Sequence, residues 1–515
     1  MDDHQPDCEV LVAGAGPTGL VLALWLTRYG IPVRIVDKAP RADSTSRALA
    51  VHARTLELYQ PMGLAQPVIE AAHKLDTVNL WVAGRKRAHA RFGDIGRGLS
   101  PYPYSVIYPQ DEHEKLLIER LEGAGVRVER EVEVVGIEGD GEHYACARLR
   151  HRDGTESRAR CAFLAGCDGA HSFVRGAIRA GFPGGTYQHV FYVADVEASG
   201  PVANGELNGA LDAADFILVF PLKAGEHIRL VGTVRDDAAM RPGELRWEDV
   251  SKGILERMRI DVRKVNWFST YHVHHRVAAE FRKGRVFLLG DAAHIHSPVG
   301  GQGMNTGIGD AINLAWKLAA VLKGRGDDAI LDTYSTERRA FAMRLVASTD
   351  RAFTFVTREG ALARFVRLHV VPWLVPFAVR FEATRRLMFR TISQTSIQYR
   401  PSALSEGRAG AIHAGDRLPW IAPADGARDN YAPLGSMDWQ VHVHGEAADT
   451  VSRACERHGI PLHAFTWREA ASRAGYEKDA ACLVRPDGYV GWAAPGRDGD
   501  SLEAYLARHR VAPLG

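Results

Sequence analysis

CEVLVAGAGPTGLVLALWLTRYGIPVRIVD, residues 8–37, is the stretch that decides the fold. Cys8 to Ala13 is a short apolar run ending at glycine, the pattern of a buried strand. Leu20 to Tyr29 carries apolar side chains at helical spacing and stops at Gly30. Val33 to Val36 is a second buried strand, closed by Asp37. A βαβ unit of this kind belongs to an α/β fold with a parallel sheet. The uncharged run Val10 to Thr27 is about as long as a membrane span, but its glycines and Asp37 point to a turn instead. That turn is Gly14-Ala15-Gly16-Pro17-Thr18-Gly19. Its glycines permit a tight bend and let backbone approach a pyrophosphate. The helix that follows offers free N–H groups and the positive end of its dipole to that anion. Asp37 lies 18 residues beyond Gly19, where a carboxylate can accept hydrogen bonds from ribose hydroxyls. The unit reads as a dinucleotide site and does not by itself separate NAD from FAD.

A second site does separate them. The apolar run Val286 to Leu289, ending at Gly290, leads into Asp291-Ala292-Ala293-His294, then Pro298-Val299-Gly300-Gly301-Gln302-Gly303-Met304-Asn305 and a helix. Four glycines fall between Gly300 and Gly307, where backbone must approach something large and flat. Asp291 can accept hydrogen bonds from a ribityl chain. The helix beginning near Gly303 points N–H groups at the ring, and its dipole favours the negative charge of a reduced flavin. A third site is Gly166-Cys167-Asp168-Gly169-Ala170-His171-Ser172, with Arg175 one helical turn on. Asp168 stands at a strand end, placed to meet cofactor groups and, with Ser172, to cap the next helix.

These motifs, with Ser46-Arg47-Ala48, Pro109-Gln110 and the stretch Gly284 to Trp316, resemble the class A flavoprotein aromatic hydroxylases, the para-hydroxybenzoate hydroxylase and phenol hydroxylase superfamily. The resemblance runs from Cys8 to about Glu337. It implies a Rossmann-like FAD-binding domain of the glutathione-reductase type. It implies that FAD is held non-covalently by Gly14, Gly16, Pro17, Thr18, Gly19, Asp37, Lys38, Arg47, Gln110, Asp168, Asp291, Pro298, Gly301, Gly303, Met304 and Asn305. Asp168 and Arg175 would also serve the nicotinamide cofactor, NADPH or NADH, which visits without a second Gly-x-Gly-x-x-Gly domain. The implied reaction is hydroxylation of a phenolic or polycyclic aromatic by a C4a-hydroperoxyflavin formed with oxygen. Alternatives are an epoxidase or Baeyer–Villiger-type oxygenase of the same fold, or a non-catalytic FAD-binding pathway partner. The group that assists phenol deprotonation is unassigned. Tyr271 and His272 are the candidates, drawn from Tyr187, His189, Tyr271, His272 and His274. Period-two alternation puts Tyr271 and His275 on one strand face and His272 and His274 on the other.

The expected organisation is a FAD-binding domain over 1–180 and 277–345 with an inserted β-rich substrate domain over 181–276. A helical segment follows over 346–401, then a C-terminal domain over 402–515. Leu483-Val484-Arg485-Pro486-Asp487-Gly488 resembles the thioredoxin-like appendage of the phenol hydroxylase branch, with no Cys pair for redox work and a structural or dimer-contact role. Sixty-four Lys and Arg against 62 Asp and Glu give no support for nucleic acid or membrane as partner. The expected partners are a small aromatic, oxygen and a second copy in a homodimer. Val370 to Val379 is very apolar, but Pro372, Pro376 and its shortness exclude a span. The 22 His and six Cys do not fall at metal-ligand spacing, so no metal is expected. The polar, acidic N-terminus is no signal peptide, and the expected location is the cytoplasm.

Overall fold

Val10, Leu11 and Val12 have no exposed surface, because β1 (Cys8–Ala13) lies in the middle of a parallel sheet. β2 (Val33–Asp37) pairs with it on one side and Glu156–Gly166 on the other. Val286–Leu288 and Val128–Arg130 extend the sheet outward, both in parallel. The order is Arg282–Lys283, Val286–Leu288, Glu156–Gly166, β1, β2, Val128–Arg130. A computed structural model describes residues 7–42, 48–91, 93, 95–140, 143–211, 216–222, 227–234, 245–250, 252–298, 300–357, 360–424, 429–496 and 498–515, without the side chains of 139, 140, 188, 189, 352, 353, 355–357, 363, 364 and 367. α1 (Pro17–Arg28) begins with proline at its first position, where no N–H is needed. Leu20 to Leu26 are all buried in it, since α1 packs between the sheet and the Gly303–Leu322 helix. The apolar run Val10 to Thr27 is therefore a strand and a helix. Among the described residues no helix is long and apolar enough to cross a membrane.

A second, eight-stranded sheet holds the long strands Gly184–Ser199 and Asp261–Val277, joined by His227–Thr233, Phe216–Pro221 and Leu207–Leu211. It also recruits Thr77–Val82 and Arg85–Arg91, from well before the expected boundary at 181. Residues 85–91 read RKRAHAR, a charged edge strand that hides behind its own polarity. Ala83 and Gly84 both take positive φ, the two-residue turn that joins closely paired strands.

The C-terminal sheet runs Ile412–His413, Glu406–Ala409, Val490–Ala494, Ala481–Val484, Gln440–His444, Leu462–Phe465. It is not loosely hung. Trp439, Val441 and Tyr505 belong to the same apolar core as β1 and Trp316, and Trp316 meets Trp439 edge to face. Beside them lies a fully buried ionic cluster. Arg485 donates to both oxygens of Glu337 (2.8 and 3.0 Å) and to Asp487 (2.6 Å). Lys317 donates to Glu337 (2.9 Å) and Trp316 Nε1 to Asp487 (3.2 Å). Arg54 reaches the Asp487 carbonyl (2.6 Å). Arg485 and Asp487 thus act as a bolt between the C-terminal sheet and the Gly303–Leu322 helix.

Candidate active site

The glycines of the first motif have separate duties. Gly14 has φ +105°, and a Cβ there would lie 2.3 Å from the Cys167 carbonyl oxygen. A Cβ at Gly19 would lie 2.0 Å from the Gly14 carbonyl oxygen. Both are needed by the fold. At Gly16, with ordinary φ −75°, a Cβ meets no atom within 4 Å. That free space lies before an α1 N-terminus with no side-chain cap, and it fits a dinucleotide pyrophosphate. Asp37 accepts from the Ala15 and Ala39 N–H groups (2.6 and 2.8 Å), which fixes the carboxylate beside this space. Lys38 is exposed next to it.

Thr18 brings the first two motifs together. A Cβ at Gly290 would come 2.7 Å from Thr18 Oγ1, and one at Gly307 2.3 Å. The turn ahead of the Gly303–Leu322 helix uses Gly300 and Gly301, both at positive φ, and Gly301 N–H returns to the Pro298 carbonyl (3.0 Å). His52 Nε2 donates to the Gly300 carbonyl (2.9 Å). Burial pushes the His52 pKa down to about 4, so it is a neutral strut at pH 7. Asn305 is wholly occupied by protein. Its Oδ1 accepts from His52 N–H and Thr55 Oγ1 (2.9 and 2.7 Å), and its Nδ2 donates to the Ala50 and Gly301 carbonyls (2.8 and 3.0 Å). Its side chain shapes the turn, leaving backbone N–H groups near Gly303 and Met304 as what the uncapped helix end presents. Asp291 lies exposed in the short helical turn Gly290–Ala292.

In the third motif Asp168 accepts from Ser172 Oγ (2.6 Å) and Val174 N–H (3.0 Å), so the helix-capping geometry is present. Arg175 spans from the Ala170 carbonyl to the Ala292 carbonyl (2.8 and 2.9 Å) and thereby clamps this motif to the Asp291 turn. Gln110 heads the helix Gln110–Gly123, where its side chain donates to Glu114 (2.8 Å) and its N–H to the Ala48 carbonyl (3.2 Å). Arg47, which immediately precedes Ala48, lies outside the described residues.

Sequence reasoning missed Asp310. This fully buried carboxylate accepts from Gly290 N–H (3.0 Å), His294 Nε2 (2.7 Å) and Arg338 Nε (2.6 Å). Burial raises its pKa, but Arg338 and His294 outweigh that and hold it below the ordinary value. Arg338 also donates to the Thr306 carbonyl (3.0 Å) and to Tyr399 OH (2.7 Å). His294 was visible as a neighbour of the turn, while its partner 16 residues on gave no local signal.

One face of the eight-stranded sheet looks toward the turn. Phe220 packs with Leu207 against Leu49 and Ala50, and a Cβ at Gly301 would lie 2.9 Å from the Ala50 Cβ. Phe220 is paired with Arg229, Arg229 with Asp195, and Asp195 with Trp267, so the four form one row on that face. Arg229 is 3% and Asp195 23% exposed, and Arg229 Nη2 donates to Asp195 (2.6 Å). Phe191, Phe216 and Tyr271 pack together on the same face. Tyr187 donates to Asp350; burial and that carboxylate push its pKa up, which keeps it protonated and unfit as a base. His272 pairs with Val190, whose side chain belongs to the core of the opposite face. Tyr271 and His272 therefore do not share a site. His274 bonds Thr186 Oγ1 (2.7 Å), and burial, with Arg276 beside it, lowers its pKa. The His189 side chain lies outside the described residues.

Residues 7–349 match the FAD binding domain family, and 413–513 match the aromatic-ring hydroxylase C-terminal family. The chain is 35% identical to 6-methylpretetramide 4-monooxygenase of Streptomyces rimosus, over 95% of this chain and 91% of that protein. It is 31% identical to pentachlorophenol 4-monooxygenase of Sphingobium chlorophenolicum, over 80% and 76%. Among solved structures it is similar to the anhydrotetracycline hydroxylase OxyS of Streptomyces rimosus, with TM-score 0.78 and 29% identity over 98% of this chain and 99% of that one. It is also similar to the flavin-dependent monooxygenase PieE, solved with FAD and substrate, with TM-score 0.79 and 25% identity over 98% and 99%. Matched along nearly its whole length to enzymes of this kind, the chain belongs to the FAD-dependent aromatic-ring hydroxylases, monooxygenases that take NAD(P)H and oxygen as their usual co-substrates.

Proposed function

We propose that this enzyme hydroxylates a phenolic ring within a polycyclic aromatic. The supporting observation is the sheet face opposite the flavin turn, where Phe191, Phe216, Phe220, Trp267 and Tyr271 surround the Arg229–Asp195 pair. A broad apolar, aromatic wall favours a flat fused-ring ligand, and one embedded ion pair fixes its orientation through a hydroxyl or carbonyl. Relatives named for 6-methylpretetramide and anhydrotetracycline act on molecules of that class. In FAD-loaded protein, polycyclic phenols should stimulate NAD(P)H oxidation and gain one oxygen atom traceable to labelled O2. Stimulation by monocyclic phenols alone would overturn the substrate class. An absence of any aromatic-dependent oxidation would favour a non-catalytic FAD-binding partner. Arg229→Gln should raise the KM for the aromatic about tenfold, roughly 1.4 kcal/mol, with FAD affinity unchanged. A KM equal to the parent's would remove the pair from the site.

Bound FAD supplies the oxygen activation; the protein's part is to hold, orient and exclude water. In this reading the space before Gly16 takes the pyrophosphate, Asp37 the adenosine ribose and Asp291 the ribityl chain. The N–H groups near Gly303 and Met304 stabilise negative charge on the ring. Arg175, on the short helix that Asp168 caps, holds the Asp291 turn in register. A hydrogen bond to a charged acceptor contributes roughly 1.5–3 kcal/mol, so Asp291→Ala should weaken FAD binding about ten- to hundredfold. Its apoprotein should stay folded, because no core volume is lost. Unchanged FAD affinity with a lower melting point would reduce Asp291 to a turn cap.

The same reading keeps residues 1–180, apart from the two strands over 77–91 that join the second sheet, and 277–345 as the FAD-binding domain, and 402–515 as a thioredoxin-like domain without redox work. Burial pushes the Cys455 thiol up to about 11 and the Cys482 thiol up to about 12, and unreactive thiols suit a structural domain.

A further inference from the structure

Nine of the twelve exposed large apolar side chains among the described residues fall between Leu362 and Leu387. Leu362 is 77% and Trp373 74% exposed, with Phe365, Leu374, Phe377 and Phe381 each more than half exposed. The helix Val371–Val379 reads VPWLVPFAV. It has no polar side chain, so no rotation about its axis offers water a polar face. Only Val371 and Pro372 are buried in it, and it rests on the edge strand Arg85–Arg91. An apolar surface of this extent marks a contact that is completed by something else.

Charge says what completes it. Residues 360–392 contain six arginines and one glutamate, in a chain whose charges otherwise nearly cancel. Arg380 and Arg386 are exposed on or next to the apolar helix, and Glu382 is already paired with Arg386 (2.7 Å). A two-fold contact with a second copy would set these same arginines against each other. A head-to-tail contact would need another apolar face. The remaining exposed large apolar residues, Tyr144, Phe173 and Met343, are scattered along the chain and belong to different elements. An apolar, aromatic wedge collared by arginine matches an anionic lipid surface, where apolar side chains enter the headgroup boundary and arginines meet phosphate.

We propose that the 360–392 helices seat this enzyme peripherally on an anionic bilayer, with Trp373 and Phe377 inserted. No membrane-spanning helix is required, and the expectation that no membrane is a partner is revised to this extent. The test uses FAD-loaded enzyme and sucrose-loaded vesicles of equal parts phosphatidylglycerol and phosphatidylcholine, with pure phosphatidylcholine as the comparison. The enzyme should sediment with the anionic vesicles and not with the neutral ones. Salt near 1 M, where screening acts within about 3 Å, should release it. Trp373→Glu combined with Phe377→Glu should lower the bound fraction at least about tenfold while FAD content and NADPH oxidation in solution stay at the parent level. The proposal is overturned if the parent ignores anionic vesicles, if it binds both lipids equally, or if the double variant binds as the parent does. A parent dimer that the double variant breaks, with no vesicle binding by either, would assign the surface to a second copy and overturn it equally.

Discussion

Gly16→Val is expected to give a folded protein that no longer retains FAD. The backbone at Gly16 has φ −75°, which any residue adopts, and a Cβ there touches no protein atom. The apoprotein should therefore melt within about 0.5 kcal/mol of the parent. The branched side chain would instead fill the space before the uncapped α1 N-terminus. Dinucleotide affinity should fall at least about a thousandfold, on the order of 4 kcal/mol. Gly14→Ala and Gly19→Ala make the contrast. Each brings a Cβ to within 2.3 Å of a backbone oxygen and should lower apoprotein stability before any cofactor is added. Titrating FAD into each apoprotein, beside thermal unfolding, separates the two effects. Gly16→Val binding FAD within tenfold of the parent would place the pyrophosphate elsewhere.

The second large effect belongs to Glu337. Arg485 and Lys317 both donate to its carboxylate, and all three side chains are fully buried. Burial alone raises the Glu337 pKa, but Arg485 and Lys317 overcome it and hold the carboxyl well below the ordinary value. A carboxyl depressed in this way contributes stability above its unfolded pKa and loses it only as pH falls toward the lower folded value. The contribution is therefore complete at pH 7. Glu337→Ala leaves two buried cations with Asp487 as their remaining carboxylate, and breaking a buried pair costs about 3–5 kcal/mol. The denaturation midpoint in urea should fall accordingly, and FAD binding should weaken if, as proposed, the flavin lies at the N-terminus of the helix that carries Lys317 and Asn313. A loss below about 1 kcal/mol would mean that the apolar core alone joins the C-terminal sheet to the rest.

How much of this could be read from the sequence depended on how local the cause was. The β1–α1–β2 unit was legible because strand, turn, helix and Asp37 lie within thirty consecutive residues. The Gly300–Asn305 turn was legible because positive φ at Gly300 and Gly301 demands glycine. The Arg229–Asp195 pair was not, because its members lie 34 residues apart on different strands. Arg338 lies 28 residues from Asp310 and Arg485 148 from Glu337. A charged residue at such a distance looks like an ordinary solvated one until the fold buries it. The strand Arg85–Arg91 was overlooked for the opposite reason, since it is charged and remains at an edge. Asn305 was singled out as a flavin contact, yet its side chain is taken up by His52, Thr55, Ala50 and Gly301 and leaves no hydrogen-bonding atom spare.

The pairing of Glu156–Gly166 with Val286–Leu288, and of Thr77–Val82 with Leu207–Leu211, bears on how the polypeptide is made. Neither sheet can be finished from one contiguous stretch. While the ribosome is still translating residues 167–285, the first sheet stands with Glu156–Gly166 paired to β1 but lacking its second parallel neighbour, Val286–Leu288. Thr77–Val82, paired on one side with Arg85–Arg91, meanwhile waits for its second partner more than a hundred residues downstream. Two half-built sheets with open edges coexist in one nascent chain, the circumstance in which strands pair wrongly or aggregate. Long-range parallel pairing also closes slowly. Yield in a heterologous host should therefore respond more to slow synthesis at low temperature, or to chaperones that shield open edges, than to any change at the surface of the finished enzyme.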